Sequence, residues 1–332
     1  MSVEFDPKES VLKGLRDAAL RGTLIPFVGA GASRLAGCPG WLEFGDGALR
    51  QFVESGKVSH AQLDQLRDQP PRVKLSIARA LQEEHRTLID FRKLIHPPDN
   101  KYEEKGRQLF GSLSKLGRTF VTTNYDEWLD KEIVLPSLSV DALSQPENVA
   151  VNKERKVFFK VQDLTAANLN LPDAVIHLHG SLIEPKSMIL TTQDYIRHYA
   201  NDRRSGGDAK ENLVLTFLEY LFSSKTVLFI GYGLEELEIL EYVIQKVPYV
   251  SGDGQEARHY LVQGFFSHQE ELMLSLKRYY LRECGIELIP YVRDKKDWDQ
   301  LLDVVDELAK LTPASALMHL QEFKDMEGLL DG

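Results

Sequence analysis

Apolar residues at Val11, Leu12, Leu15, Ala18, Ala19 and Leu20 recur at helical spacing and predict a helix over Lys8–Arg21. Gly22 ends it, and the apolar run Thr23–Val28, bounded by glycines, predicts a buried strand. A glycine turn follows, Gly29-Ala30-Gly31-Ala32-Ser33, and then a helical pattern over Trp41–Val53. Residues 57–117 are rich in Leu, Gln, Arg and Glu and poor in β-branched runs, which predicts several helices broken at Pro70-Pro71 and Pro97-Pro98. Strand patterns return at Thr119–Thr122, near Val157–Val161 and at Ala174–Leu178. A helix over Lys210–Phe222 leads into the most apolar strand, Thr226–Ile230, which ends in Gly231-Tyr232-Gly233. Beyond it a helix (Glu235–Lys246), a strand (His259–Val262), a helix (Gln269–Arg282), a strand (Ile286–Ile289) and a helix (Trp298–Leu311) alternate. Uniformly apolar strands alternating with helices predict an α/β fold, a parallel sheet with helices on both faces. Asn201–Asp208 reads as a polar loop, and the residues after Pro313 as a docking helix or a partly disordered tail.

Composition narrows the class. The chain has 332 residues, 43% hydrophobic and 27% charged, the balance of an ordinary globular protein with enough chain to bury a core unaided. At about 150 residues per domain, length alone allows two domains, or one elaborated α/β domain with a helical insertion. Fifty acidic against forty basic side chains leave a net charge of −10, which argues against general affinity for nucleic acid or an anionic membrane. The two cysteines, Cys38 and Cys284, exclude a disulfide scaffold and an all-cysteine zinc site within one chain. The first residues lack the pattern of a secretory signal, and no stretch approaches the roughly 18 apolar residues of a membrane span. The expectation is a cytoplasmic protein.

Four predicted strand ends carry chemistry. Gly29-Ala30-Gly31 stands where a parallel sheet binds phosphate, since small residues let an anion approach backbone N–H groups; a plain tight turn is the alternative. Thr122-Thr123-Asn124-Tyr125-Asp126 ends a second strand, where an asparagine amide suits a water or a ribose hydroxyl; the alternative is a cap on a helix over Glu127–Ile133. His177-Leu178-His179-Gly180-Ser181 ends a third. His179, beside a glycine at the strand's end, has the place of a base, whereas His177 fits a buried, hydrogen-bonded histidine better. Gly231-Tyr232-Gly233 ends the fourth.

These motifs in this order, with Gly37-x-Pro39-x-Trp41 after the first, resemble the sirtuin-like family (silent-information-regulator-two-like domains), in particular its bacterial branch of NAD-consuming defence proteins. The resemblance spans about residues 20–295. It implies a Rossmann-like catalytic domain over residues 1–315, with 57–117 as a helical insertion and 316–332 as a tail. It further implies that Gly29, Ala30, Gly31 and Ser33 hold the pyrophosphate of NAD⁺, that Asn124 positions the nicotinamide ribose and attacking water, and that Asp126 reads the nicotinamide amide. His179 would be the catalytic histidine, and Gly231, Gly233 and Gln263 would line the adenosine side.

Departures from the family pattern matter equally. Deacylating sirtuins carry two Cys-x-x-Cys pairs for a structural zinc after the His-Gly motif; here Cys284 is the only cysteine after His179. Gly40-Trp41-Leu42-Glu43 replaces the deacylase Asp-Phe-Arg, and Gly233 stands where serine is common. The expectation is therefore a zinc-free NAD⁺ hydrolase, an effector of anti-phage defence held inactive until triggered by a partner protein encoded nearby or by homo-oligomerisation. A non-catalytic NAD- or ADP-ribose-binding module and a zinc-free deacylase or ADP-ribosyltransferase are the rival readings.

Overall fold

The computed structural model describes residues 7–97, 101–131, 133–135, 151–200, 212–233 and 258–312. The predicted helix Glu235–Lys246, the polar loop Asn201–Asp208 and the tail 316–332 lie outside the described residues. Seven strands form one parallel sheet: β1 (Leu24–Val28), β2 (Thr119–Thr122), β5 (Lys156–Phe158), β6 (Ala174–His177), β7 (Thr226–Ile230), β8 (His259–Phe265) and β9 (Ile286–Val292), in the spatial order β5-β6-β2-β1-β7-β8-β9. From β1 the chain adds β2 beside it, goes to β5 at the far edge and back to β6 between β5 and β2, then returns across the sheet to place β7 against the other side of β1. That reversal makes the gap between β1 and β7 the topological switch point, where open α/β sheets bind ligands beyond the carboxyl ends of their strands.

Strand residues alternate between two apolar layers. Val28, Phe120, Leu228 and Val262 face helices α1 (Glu9–Leu20), α3 (Trp41–Glu54), α5 (Pro71–His85), α7 (Glu103–Leu113) and α12 (Gln300–Leu311). Phe27, Val121, Phe229 and Leu261 face α8 (Ala166–Leu169), α10 (Leu213–Ser224) and α11 (Glu270–Cys284). Burial on both faces explains why these strands read as unbroken apolar runs.

The glycine turn is itself the first turn of a short helix, α2 (Ala30–Leu35), with Gly29 at its N-cap. In the predicted helical stretch 57–117, α4 (His60–Gln65), α5, α6 (Phe91–Ile95) and α7 form, and Pro71 takes the first position of α5, where its missing N–H costs nothing. Two expectations are corrected. Among the described residues of Glu127–Ile133 no helix forms: residues through Lys131 run as turns and bends, and Ile133–Leu135 (β3) pairs antiparallel with Val151–Lys153 (β4). The strand expected near Val157–Val161 sits at Lys156–Phe158, because its register with Ala174–Ile176 ends there and Val161 opens a 3-10 turn.

Candidate active site at the carboxyl edge of the sheet

The four motifs meet because their strands end in step. Val28 pairs with both Thr122 and Ile230, and Thr122 pairs with His177. The residues after this row are Gly29, Thr123, Leu178 and Gly231, all at one edge. Gln263 follows the Ile230–Val262 pair. It lies inside β8 rather than at its end, since β8 stays paired with β9 as far as Phe265 and Val292. Its Oε1 is buried with no hydrogen-bond partner among the described residues.

The two glycine turns touch backbone to backbone. Gly29 N–H donates to the Ile230 carbonyl (2.9 Å) and Gly31 N–H to the Gly231 carbonyl (2.8 Å). A Cβ at Gly29 would sit 2.6 Å from Gly231 O, and one at Gly31 2.8 Å from the same atom. Gly231 has φ +63 and would aim a Cβ at Ala32 N from 2.5 Å, so its conformation and its neighbour both require glycine. Gly29 and Gly31 thereby spend their N–H groups on the sheet. Ala30, exposed at the first position of α2, and Gly233, exposed at the end of the second turn, present themselves outward.

Asn124 is anchored by three of its polar groups. Its N–H donates to Thr122 Oγ1 (3.0 Å), whose hydroxyl donates to the Val28 carbonyl (2.7 Å). Its Nδ2 donates to Ser33 Oγ (2.7 Å), and Ser33 in turn donates to Asp126 Oδ2 (2.6 Å). Its carbonyl accepts from His177 Nδ1 (2.8 Å). Oδ1 makes no hydrogen bond among the described residues, so the carboxamide offers an acceptor. Asp126 is buried, with Oδ1 occupied by the Trp128 N–H (3.1 Å). Burial raises its pKa above the ordinary aspartate value, offset in part by the Ser33 and Trp128 bonds and by His177 and His96. Asn124, Ser33 and Asp126 thus form one hydrogen-bonded chain linking the first motif to the second.

His179 stands at the predicted strand end but is only 2% exposed. An element the periodicity did not predict, α9 (Thr192–Tyr199), closes over it: Nε2 lies 2.7 Å from the Tyr199 hydroxyl, and the rings of Tyr195, His198 and Tyr199 surround it at 5.8, 5.8 and 5.9 Å. Burial, then His198 and Arg72, hold its pKa well below the usual histidine value, so the ring is neutral at pH 7. Helix α9 is tied to α5 by an Arg79–Asp194 ion pair (2.6 Å) and by Arg72 stacked 3.6 Å over Tyr195. The signal that marks α9 in the sequence is its capping box, Thr191 with Asp194 three residues on.

His177 is fully buried, as its hydrogen-bonded reading expects, and its second nitrogen lies 2.9 Å from Asp130 Oδ1. A cavity of about 170 Å³ opens at the opposite edge of the sheet, among Leu24, Arg118, Thr119 and Asn170, and contains none of these groups. Among the described residues no cluster of three or more His, Cys, Asp or Glu side chains could hold a metal, and no helix is long and apolar enough to cross a membrane.

Among known families, the model of the SIR2-like domain matches residues 118–289, a stretch that contains three of the four motifs. No curated protein matches the chain.

Proposed function

Because the chain belongs to the SIR2-like domain family, we propose that it is an NAD⁺ hydrolase releasing nicotinamide and ADP-ribose. In that reaction the C1′–N bond breaks with its electron pair passing to the pyridinium nitrogen, while water adds at C1′ and gives up a proton. The observation that carries the reading is the Asn124 carboxamide, held through Nδ2 by Ser33 with Oδ1 left as an acceptor at the switch-point edge. Such an acceptor orients a water or a ribose hydroxyl without itself titrating, and a fixed position is what makes the orientation effective. His179, neutral at pH 7, is the base of this proposal.

The other roles follow from the same placement. Ala30 and the start of α2 take the pyrophosphate, with Gly29 and Gly31 providing the close approach. Ser33 and Asp126 act through Asn124, and Asp126 stands beside the nicotinamide end. Gly231, Gly233 and the buried acceptor of Gln263 face the adenosine end, where a ligand donor would remove an orphan costing about 1–3 kcal/mol.

The closure of His179 beneath α9 supports a protein held inactive until triggered, since the base is sealed from the crevice and its cover is fastened to the helical insertion. An NAD⁺ hydrolase without such restraint would deplete its host. We therefore read the protein as a cytoplasmic effector of anti-phage defence, released by a partner encoded nearby or by homo-oligomerisation. The net charge of −10 leaves nucleic-acid and membrane contact to that partner.

The same closure favours one rival, a non-catalytic module that binds NAD⁺ or ADP-ribose. Incubating purified protein with NAD⁺, with and without its genomic neighbour, and following nicotinamide and ADP-ribose by chromatography separates the two. Turnover lost in Asn124→Ala and His179→Ala is the expected result. Absence of turnover with the neighbour present overturns the hydrolase, and nicotinamide release that needs an acylated peptide or yields a modified protein indicates a deacylase or an ADP-ribosyltransferase.

A further inference from the structure

The residue whose role nothing above assigns is His177, two positions before the proposed base. Its side chain is fully buried in the row of strand ends, and both of its ring nitrogens face acceptors. Nδ1 lies 2.8 Å from the Asn124 carbonyl, which can only accept; Nε2 lies 2.9 Å from Asp130 Oδ1, a carboxylate oxygen. A neutral imidazole has one N–H and satisfies one of these neighbours; the doubly protonated ring satisfies both.

We propose that His177 and Asp130 are the positioning pair of this site: a buried imidazolium–carboxylate unit that grips Asn124 by its backbone carbonyl and so aims its carboxamide. The proposal rests on the reading of Asn124 given above.

The surroundings sustain the charge. Asp130 is 9% exposed in its side chain, its Oδ1 faces His177 Nε2, and its second oxygen is buried with no hydrogen-bond partner among the described residues. Asp126 and Glu127 add negative charge from the same loop, and His96 reaches this group through Asp126. Arg155, just before β5, acts on Asp130 from the far side and donates to the Leu129 carbonyl (2.7 Å), clamping the loop's backbone next to Asp130. Burial by itself would push the His177 pKa down; Asp130, the Asn124 carbonyl and Asp126 together raise it above the ordinary value. The pair thus extends the chain of contacts, Asp130 to His177 to Asn124 to Ser33 to Asp126, and Asp130, at its far end, acts on the carboxamide only through His177.

Two variants separate positioning from folding. Asp130→Asn keeps the shape: its amide donates to Nε2 of a neutral ring while Nδ1–H still holds Asn124. Asp130→Ala removes the anchor. Nitrogen-15 NMR of labelled histidine and asparagine needs no turnover. We expect the second His177 nitrogen to keep its proton to a higher pH in the wild type than a free imidazole does, and the Asn124 side-chain amide to be displaced in Asp130→Ala but retained in Asp130→Asn. A neutral His177 ring, or an undisturbed Asn124 amide in Asp130→Ala, overturns the proposal. In the kinetics, Asp130→Ala lowers kcat for NAD⁺ about ten- to hundredfold with KM little changed. Asp130→Asn stays near the wild type but loses the alkaline fall in kcat that deprotonation of His177 produces. Equal loss in both variants, or an alkaline limb that survives in Asp130→Asn, also overturns it. If the spectra behave as expected while no condition gives turnover, the positioning pair stands and the NAD⁺ reading of Asn124 fails.

Discussion

Single atoms decide the carboxyl edge of the sheet. At Gly29 a Cβ would meet the backbone of the facing turn at two atoms, 2.6 Å from Gly231 O and 2.7 Å from Tyr232 Cα, and neither can swing aside as a side chain would. Gly29→Ala should therefore lower stability by about 2–3 kcal/mol or more and spread the two turns. Gly22→Ala is the control: φ is +64 there but nothing lies within 4 Å, so only the backbone penalty of about 1–2 kcal/mol applies. Urea unfolding of the two variants checks the order; equal losses would mean that the close approach costs nothing. At Tyr199 the test is functional. Tyr199→Phe removes the hydroxyl that holds His179 Nε2, a bond worth about 1 kcal/mol net, and should raise trigger-free nicotinamide release about two- to tenfold.

Helices α3 and α5 show how an element can depend on one buried ion. Lys74 is completely buried, and its ammonium donates to Asp46 Oδ1 (2.6 Å) and to the Arg67 carbonyl (2.7 Å). Asp46 keeps about a third of its side chain in water, so solvent repairs part of any loss on its side. Asp46→Ala should cost about 1–3 kcal/mol by stranding the ammonium, while Lys74→Met, which removes the charge and keeps the bulk, should cost less. Chemical denaturation of the single variants measures both, and a costlier Lys74→Met would show that the ion pair is itself a net source of stability. Helix α9 illustrates the opposite problem. Only Tyr195 and His198 of its eight residues are buried, so no apolar stripe announces it, and what fastens it is the Arg79–Asp194 pair and the Arg72–Tyr195 stack from α5.

For the molecule as a whole, buried histidines set the response to acid. His198 is pushed down to about 4 and His259 to about 3, both chiefly by burial, and His179 lies well below its usual value for the same first cause. Each is neutral in the fold and takes up a proton near pH 6.5 once unfolded, so the unfolded chain binds more protons below that pH and stability falls as pH drops. His177 has the opposite sign: its contribution is full below the unfolded value and is lost as pH rises through its raised folded value. Four lowered histidines, the half-buried His96 included, against one raised predict that thermal stability declines from about pH 6.5 toward pH 4, with more than one proton taken up on unfolding. Melting temperatures across that range, with proton uptake from the slope, test this; a flat profile would mean that these rings remain solvated.

From the sequence alone came the alternation of apolar strands and helices, the parallel sheet, and the placing of Gly29, Asn124, His179 and Gly231 at strand ends. These features follow from local periodicity and from glycine and polar residues that interrupt it, so a linear chain records them. The partners of those residues were not recorded there. That Ser33 joins Asn124 to Asp126, that His177 is held between Asn124 and Asp130, and that Tyr199 covers His179 depend on register across strands and on loops distant in sequence. The same cause moved the strand near Val157 and replaced the helix at Glu127 with turns: pairing with β6 and β4 outweighs a local preference when the partner strand supplies the hydrogen bonds. Sequence determined which residues stand at the edge, and tertiary structure decided what each one holds, because a hydrogen bond joins groups by distance in space and not by separation along the chain.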